Sequence, residues 1–399
     1  MLINTMESLI KSELELLEPK MVEIRREIHR NPELGFEEVE TAKLISDVLS
    51  EHNIEHETKI AQTGVVALVG SSSEGPVVGV RADMDALAMS ERCTHDYCSQ
   101  VEGKMHACGH DGHTAIALGT ALLAKKLEKH LAGGIKFIFQ PAEEEPGGAE
   151  PMISEGVLED PKVNCMLALH IWDKAEAGTI EVKKGPTFAA VDEFDLKLIG
   201  KSAHGACPHH GKDTVIIASE IIQKLQNVVS REVNPAEGAV ISVGKIAGGD
   251  RRNILAGSVD MEATVRTMTG DMRCYLEKRI EEIVEGICSM HDMNFELDYR
   301  RKYPPLINDS GIAEIIMEEA EKSAGVKNVA AAEQPTMGGE DFAYFSRELP
   351  SAMFWLGGCN PEKGITAPLH NPEFDFDEDI MPLGAEVFFR SALRCMEEL

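Results

Sequence analysis

Positive charge is scarce in this 399-residue chain: 39 Lys and Arg face 68 Asp and Glu, a formal net charge of −29 with histidine neutral. Nucleic acid and anionic membrane both need Lys and Arg to replace counterions, so the deficit argues against either as a partner. Long apolar runs are also missing, and no stretch approaches the roughly 20 apolar residues of a membrane span. The opening segment, MLINTMESLIKSELELLEPK, carries acids at amphipathic spacing rather than a basic start followed by an apolar core. No export signal is read there, and a cytoplasmic location is expected. The nine cysteines are scattered and form no CxxC pair. Without an export signal they read as reduced thiols rather than a disulfide framework. Internal repeats and low-complexity tracts are absent.

What is present reads as globular. Hydrophobic residues at 43% and charged residues at 27% are ordinary values, and the length predicts two domains, with three as the alternative. Residues 5–29 have helical spacing. Nearly continuous apolar runs at 64–70, 76–87, 134–145 and 164–172 predict strands buried on both faces, with a helix at 111–130 between them. This alternation predicts an α/β fold, a mixed sheet with helices on both faces. Asp83, Asp85, Glu143, Glu144 and His170 all fall at the ends of strand-like runs, where such sheets build their sites. From about 187 the pattern becomes β-α-β-β-α-β, that of a ferredoxin-like α+β unit. The expected organisation is therefore a catalytic domain of residues 1–185 and 301–399, interrupted by an inserted domain at 186–300.

The densest chemical signal is MHACGHDGH at 105–113, which gathers His106, Cys108, His110, Asp111 and His113 from a chain with 14 histidines. Thiolate and imidazole are good ligands for divalent transition metals. QPAEEEPGGAE at 140–150 places three consecutive glutamates after a buried strand. Alone, such a run is usually a solvated face. Beside a Cys/His cluster, one Glu can ligate a metal while its neighbour takes a proton from water. His170 in ALH and His370 in PLHNPEF are each weak signals by themselves. Asp83 and Asp85 alternate in RADMDAL and could orient a ligating histidine, although Asp is also common in turns. GKSAHGACPHHG supplies His204, His209 and His210. MGGEDFAYF at 337–345 is a Gly-rich turn that could bind substrate.

Taken in order, RREIHRNPELGFEE, RADMDAL, MHACGHDGHTA, QPAEEEPGGA, ALH, GKSAHGACPH, TVRT, GGEDFAYF and PLHNPEFDFDED resemble the dinuclear-metal aminoacylase and carboxypeptidase family. The match is to its amidohydrolase branch of hippurate hydrolases, N-acyl-amino-acid deacetylases and auxin-conjugate hydrolases. The resemblance covers nearly the whole chain and implies a catalytic α/β domain with an inserted dimerisation or lid domain. It implies Cys108, His110, Glu144, His170 and His370 as ligands of two divalent ions, with Zn, Mn, Co and Ni all compatible. It implies Glu143 as the general base, Asp85 as the supporting carboxylate, and His204 as the histidine that reaches a partner subunit's site in a homodimer or homotetramer. Asn253 and Arg266 match positions that contact the carbonyl region and the substrate carboxylate in relatives. Asp250, Arg251 and Arg252, and the run AEEEPGG, depart from the family pattern. The expected activity is hydrolysis of N-acyl-L-amino acids. A dipeptidase or carboxypeptidase on the same scaffold, and a catalytically silent metal-binding regulator, are the alternatives.

Overall fold

The structure, a computed structural model, describes residues 2–71, 73 and 75–399, with side chains from Met6 onward. The chain divides into two compact units, Met1–Gly185 with Ile307–Gln334 and Tyr344–Leu399, and Pro186–Leu306 with Pro335–Ala343. The second unit thus runs past the expected limit at 300 and takes in a further short stretch. Backbone hydrogen bonds explain both additions. Lys302 N donates to Val191 O at 3.0 Å, and Thr336 N donates to Thr187 O at 2.9 Å. Local periodicity carries no sign of such pairings between distant segments.

The first unit is built on an eight-stranded sheet in the order Glu55–Ile60, Gly64–Gly70, Gly134–Gln140, Val77–Asp83, Cys165–Glu176, Ser351–Cys359, Thr179–Val182, Asn328–Ala331. The four central strands run parallel to one another, while the two at the Glu55 end pair antiparallel. Val77–Asp83 and Gly134–Gln140 are buried at every residue, as strands covered on both faces should be. Gly64–Gly70, one place from the edge, alternates instead between buried and half-buried. Glu55–Ile60 at the edge is polar and exposed, which blunts an unpaired strand.

The helix His110–Lys126 is buried on every side from His110 to Ala124. Its small residues allow that. A Cβ on Gly112 would stand 2.5 Å from Phe376 Cζ and 2.6 Å from Ile171 Cδ1, so the neighbours occupy the space a side chain needs. The helix Leu2–Arg30 turns Ile10, Leu14, Leu17, Met21, Ile24 and Ile28 into the same core, which Met381–Glu398 completes.

The second unit contains Ala190–Ile199, the helix Thr214–Asn227, Ala239–Gly248, Ser258–Thr267, the helix Gly270–Met290, and Asn294–Arg301. Its sheet order is Asn294–Arg301, Ala190–Ile199, Ser258–Thr267, Ala239–Gly248, antiparallel throughout. This is the split βαβ arrangement the sequence pattern predicts. Phe194, Leu196 and Leu198 join Ile217, Ile221, Leu276 and Ile280 in its core. Asp213 and Thr269 cap the two helices through their side-chain oxygens.

Candidate metal centre

The carboxyl ends of the parallel strands deliver the site. Val77–Asp83 ends at Asp83, so Asp85 sits in the following loop rather than on the same strand face as the alternation predicted. The strand carrying His170 continues to Glu176, and His170 is therefore not terminal. Its pairing with Val77–Asp83 stops at Ala168, however, which places His170 just beyond that neighbour's last partner.

Gly109 starts the buried helix at φ +88°, in the left-handed region that suits glycine. That turn aims Cys108 and His110 to one side. Cys108 Sγ lies 3.4 Å from His170 Nε2 and 3.3 Å from His370 Nε2. His370 Nε2 is 3.1 Å from Glu144 Oε1, and His110 Nε2 is 3.9 Å from Glu143 Oε2. Two donor triplets result, Cys108 with His110 and His170, and Cys108 with Glu144 and His370, and the thiol belongs to both.

Backbone strain sits at one donor and beside the acidic turn. Ala142, before Glu143, holds φ +53°, and His370 holds φ +60°. Such values cost about 1–3 kcal/mol in a non-glycine residue and persist only where the surroundings impose them. Here Ala142 N donates to Glu38 Oε1 at 2.8 Å, and His370 N donates to Ala107 O at 2.8 Å.

The carboxylates divide the work of orientation. Asp85 accepts from Glu143 N at 2.9 Å and Glu144 N at 3.0 Å, fixing the acidic turn. His110 Nδ1 donates to the Asp85 carbonyl at 2.9 Å. That leaves His110 Nε2 buried, with no hydrogen-bond partner. An orphaned imidazole nitrogen facing a thiol and two carboxylates fits a cation. Burial disfavours a charged His110, but Asp83 and Asp85 outweigh it and hold its pKa at about 10. Burial, reinforced by His113, pulls His170 down to about 3 and keeps it a neutral donor. Burial, together with Glu144 and Glu143, pushes the Cys108 thiol up. A divalent cation would reverse that preference.

Sequence reasoning gave His113 and Asp83 no settled place. His113 Nδ1 donates to Asp83 Oδ1 at 2.6 Å, and its Nε2 accepts from Ile171 N at 2.9 Å. Both ring nitrogens are thus used, and His113 braces the site instead of ligating. Its spacing of three from His110 on one helix was the available signal. Arg81 Nη1 donates to Asp83 Oδ2 at 2.6 Å. Glu145 is exposed.

His204, Asn253 and Arg266 lie in the second unit. Exposed His204 bridges to Ile254, and Gly205 N donates to Asn253 O at 2.8 Å, so the first two share one loop pair. That pair sits by the start of Ser258–Thr267, where Gly200 N donates to Gly257 O at 2.9 Å. Half-buried Arg266 is near the other end of that strand, about 26 Å away at 3.3 Å per residue. One copy of the chain therefore does not bring the three together.

A model of peptidase family M20/M25/M40 matches residues 79–394. The chain belongs to this family. Among M20/M25/M40 relatives, an IAA-amino acid hydrolase of Arabidopsis thaliana is 38% identical over 95% of this chain and 86% of its own length. An N-acetyl-L-cysteine deacetylase of Bacillus subtilis is 37% identical over 96% of this chain and 90% of its own. The crystal structure of the Bacillus subtilis YxeP protein, described as a dinuclear metal binding peptidase of the M20 family, aligns with a TM-score of 0.84 and 33% identity, covering 96% of this chain and all of that one. Membership with these relatives makes the protein a hydrolase of amide bonds.

Proposed function

We propose that the protein hydrolyses the amide bond of N-acyl-L-amino acids, using two divalent ions held by Cys108, His110, Glu144, His170 and His370. The observation that carries this reading is the shared thiol: Cys108 stands in two donor triplets at once, beside a buried Glu143. Ions bound there would supply Lewis acidity, lowering the pKa of water towards neutrality and polarising a carbonyl; Zn, Mn, Co and Ni all suit such mixed donors.

The chain's own residues do the rest. Glu143, held through its backbone by Asp85, takes the proton of the attacking water and passes it to the leaving amine. Asp83, His113 and Asp85 keep the donors in place. His204 polarises the scissile carbonyl from a partner subunit, with Asn253 beside it, and Arg266 holds the substrate carboxylate. The 26 Å between the loop pair and Arg266 supports a homodimer or larger assembly, since one site needs both ends of the small sheet. No helix among the described residues is long and apolar enough to cross a membrane, which suits a substrate taken from solution in the cytoplasm.

The names of the two relatives above, both hydrolases of acylated amino acids, support this substrate class over dipeptides. The test is a panel of N-acetyl, N-benzoyl and dipeptide substrates on metal-reconstituted protein, reading released amine. Turnover of the acylated amino acids is expected, and turnover confined to dipeptides would overturn the reading. Glu143→Gln should cut turnover by about 10²–10⁴-fold with metal content unchanged. Near-normal turnover in that variant would remove Glu143 from the base role.

A further inference from the structure

We propose a second metal site in the first unit, separate from the centre above, formed by His29, Glu91 and His95 and suited to a single Zn²⁺ or similar ion. His29 lies near the end of the Leu2–Arg30 helix, while Glu91 and His95 lie on the loop after Asp85. None of the three belongs to the donor triplets around Cys108.

The spacing of the three side chains suits a single cation. Glu91 Oε1 is 3.3 Å from His29 Nε2 and 3.3 Å from His95 Nε2. Ligands at 2.0–2.1 Å on a tetrahedral centre stand about 3.3 Å apart. The three donor atoms lie within 4.8 Å of one another, and Asp375 Oδ2, which accepts from the Tyr97 hydroxyl at 2.7 Å, lies 3.9 Å from His95 Nε2.

Each ligand is also held from behind. His29 Nδ1 donates to buried Asp111 Oδ2 at 2.7 Å. The Cys98 thiol donates to backbone oxygens of His95 and Cys93, at 2.9 and 3.2 Å, which leaves its sulfur to accept from His95 Nδ1 at 3.4 Å. Glu91 Oε2 accepts from Ser99 N at 2.5 Å. Tyr97 stacks on the His95 ring with centroids 3.7 Å apart. A histidine that donates its other ring proton to a fixed acceptor is the usual posture of a metal ligand.

These contacts turn both Nε2 atoms towards one carboxylate oxygen, and His29 Nε2 lies within hydrogen-bond distance of it. His95 Nε2, by contrast, is buried with no hydrogen-bond partner, and an imidazole lone pair facing a carboxylate repels it unless a cation lies between them. Charge points the same way. Asp111, Asp375 and Glu378 pair with Arg25 and Arg26, and Glu91 faces the two histidines, so four carboxylates share two guanidinium charges and a divalent ion would neutralise the remainder.

The test uses wild-type protein first. Crystals soaked in Zn²⁺ should show an anomalous peak between His29 Nε2, Glu91 Oε1 and His95 Nε2, and absence of density there overturns the proposal. In solution, Zn²⁺-reconstituted protein passed through gel filtration should hold one equivalent more than His95→Ala treated alike. Equal stoichiometry would mean that protons, not a metal, separate these groups, and overturns the proposal as well. Because the readout is a difference, it stands whether or not the Cys108 centre loads fully.

Discussion

Asp83 shows how much of the site rests on residues outside the two triplets that share Cys108. It binds Arg81 and fixes His113, which in turn holds the backbone at Ile171 beside His170. Asp83→Asn should therefore weaken metal affinity by about 10–100-fold, read by competition with a chelating dye. Unchanged affinity would make Asp83 a purely structural residue. Glu38 carries a pH dependence. Burial raises its carboxyl from 4.5 to about 7, against the donors Thr63 and Ala142. Below pH 4.5 the group is neutral whether the chain is folded or not. As pH rises through 7 the folded chain must ionise it against burial, and stability on the order of 1–3 kcal/mol is lost across that window. Urea unfolding between pH 5 and 8 should show this decline in the wild type and a smaller one in Glu38→Gln; identical slopes would refute it. The candidate donors were legible in the sequence because Cys108, His110 and the glutamates sit in short dense motifs. The pairing of Arg25 and His29 with Asp111 and Glu378 was not, because those partners lie up to 353 residues away and no local pattern encodes such a pairing.

The elements explain why the donors cannot drift. The His110–Lys126 helix has no solvent face until its last turn, so its first turn is clamped from all sides. Gly112→Ala, between His110 and His113, would meet the Phe376 ring and Ile171, both buried. We expect a loss of about 1–3 kcal/mol, read by denaturant unfolding of metal-free protein. A variant as stable as wild type would show that the ring yields. Apolar runs announced most of these elements: the strand expected over 64–70 is Gly64–Gly70, and the helix expected over 111–130 is His110–Lys126. Periodicity missed Glu55–Ile60, whose polar edge residues carry no apolar signal, and let the 76–87 run continue past Asp83, where the backbone leaves the sheet to reach the site.

At the scale of the whole molecule, the surplus of acid is a standing repulsion. A net charge of −29 destabilises a compact chain, and salt screens it as the Debye length falls from about 30 Å at 0.01 M to 8 Å at 0.15 M. Tm of the metal-free protein should rise over that range; a flat or falling Tm would show that the acids are already neutralised in local pairs. The order of the donors along the chain has a further consequence. Cys108 and His370 are 262 residues apart. At 5–20 residues per second, a ribosome delivers the second roughly 13–50 s after the first. During synthesis the nascent chain therefore exposes an incomplete chelate, a thiol with its early imidazoles and glutamates but without the histidine that joins them last. With the ligands proposed above, full coordination becomes available only near the end of translation, which would make metallation a late event in this protein's biogenesis.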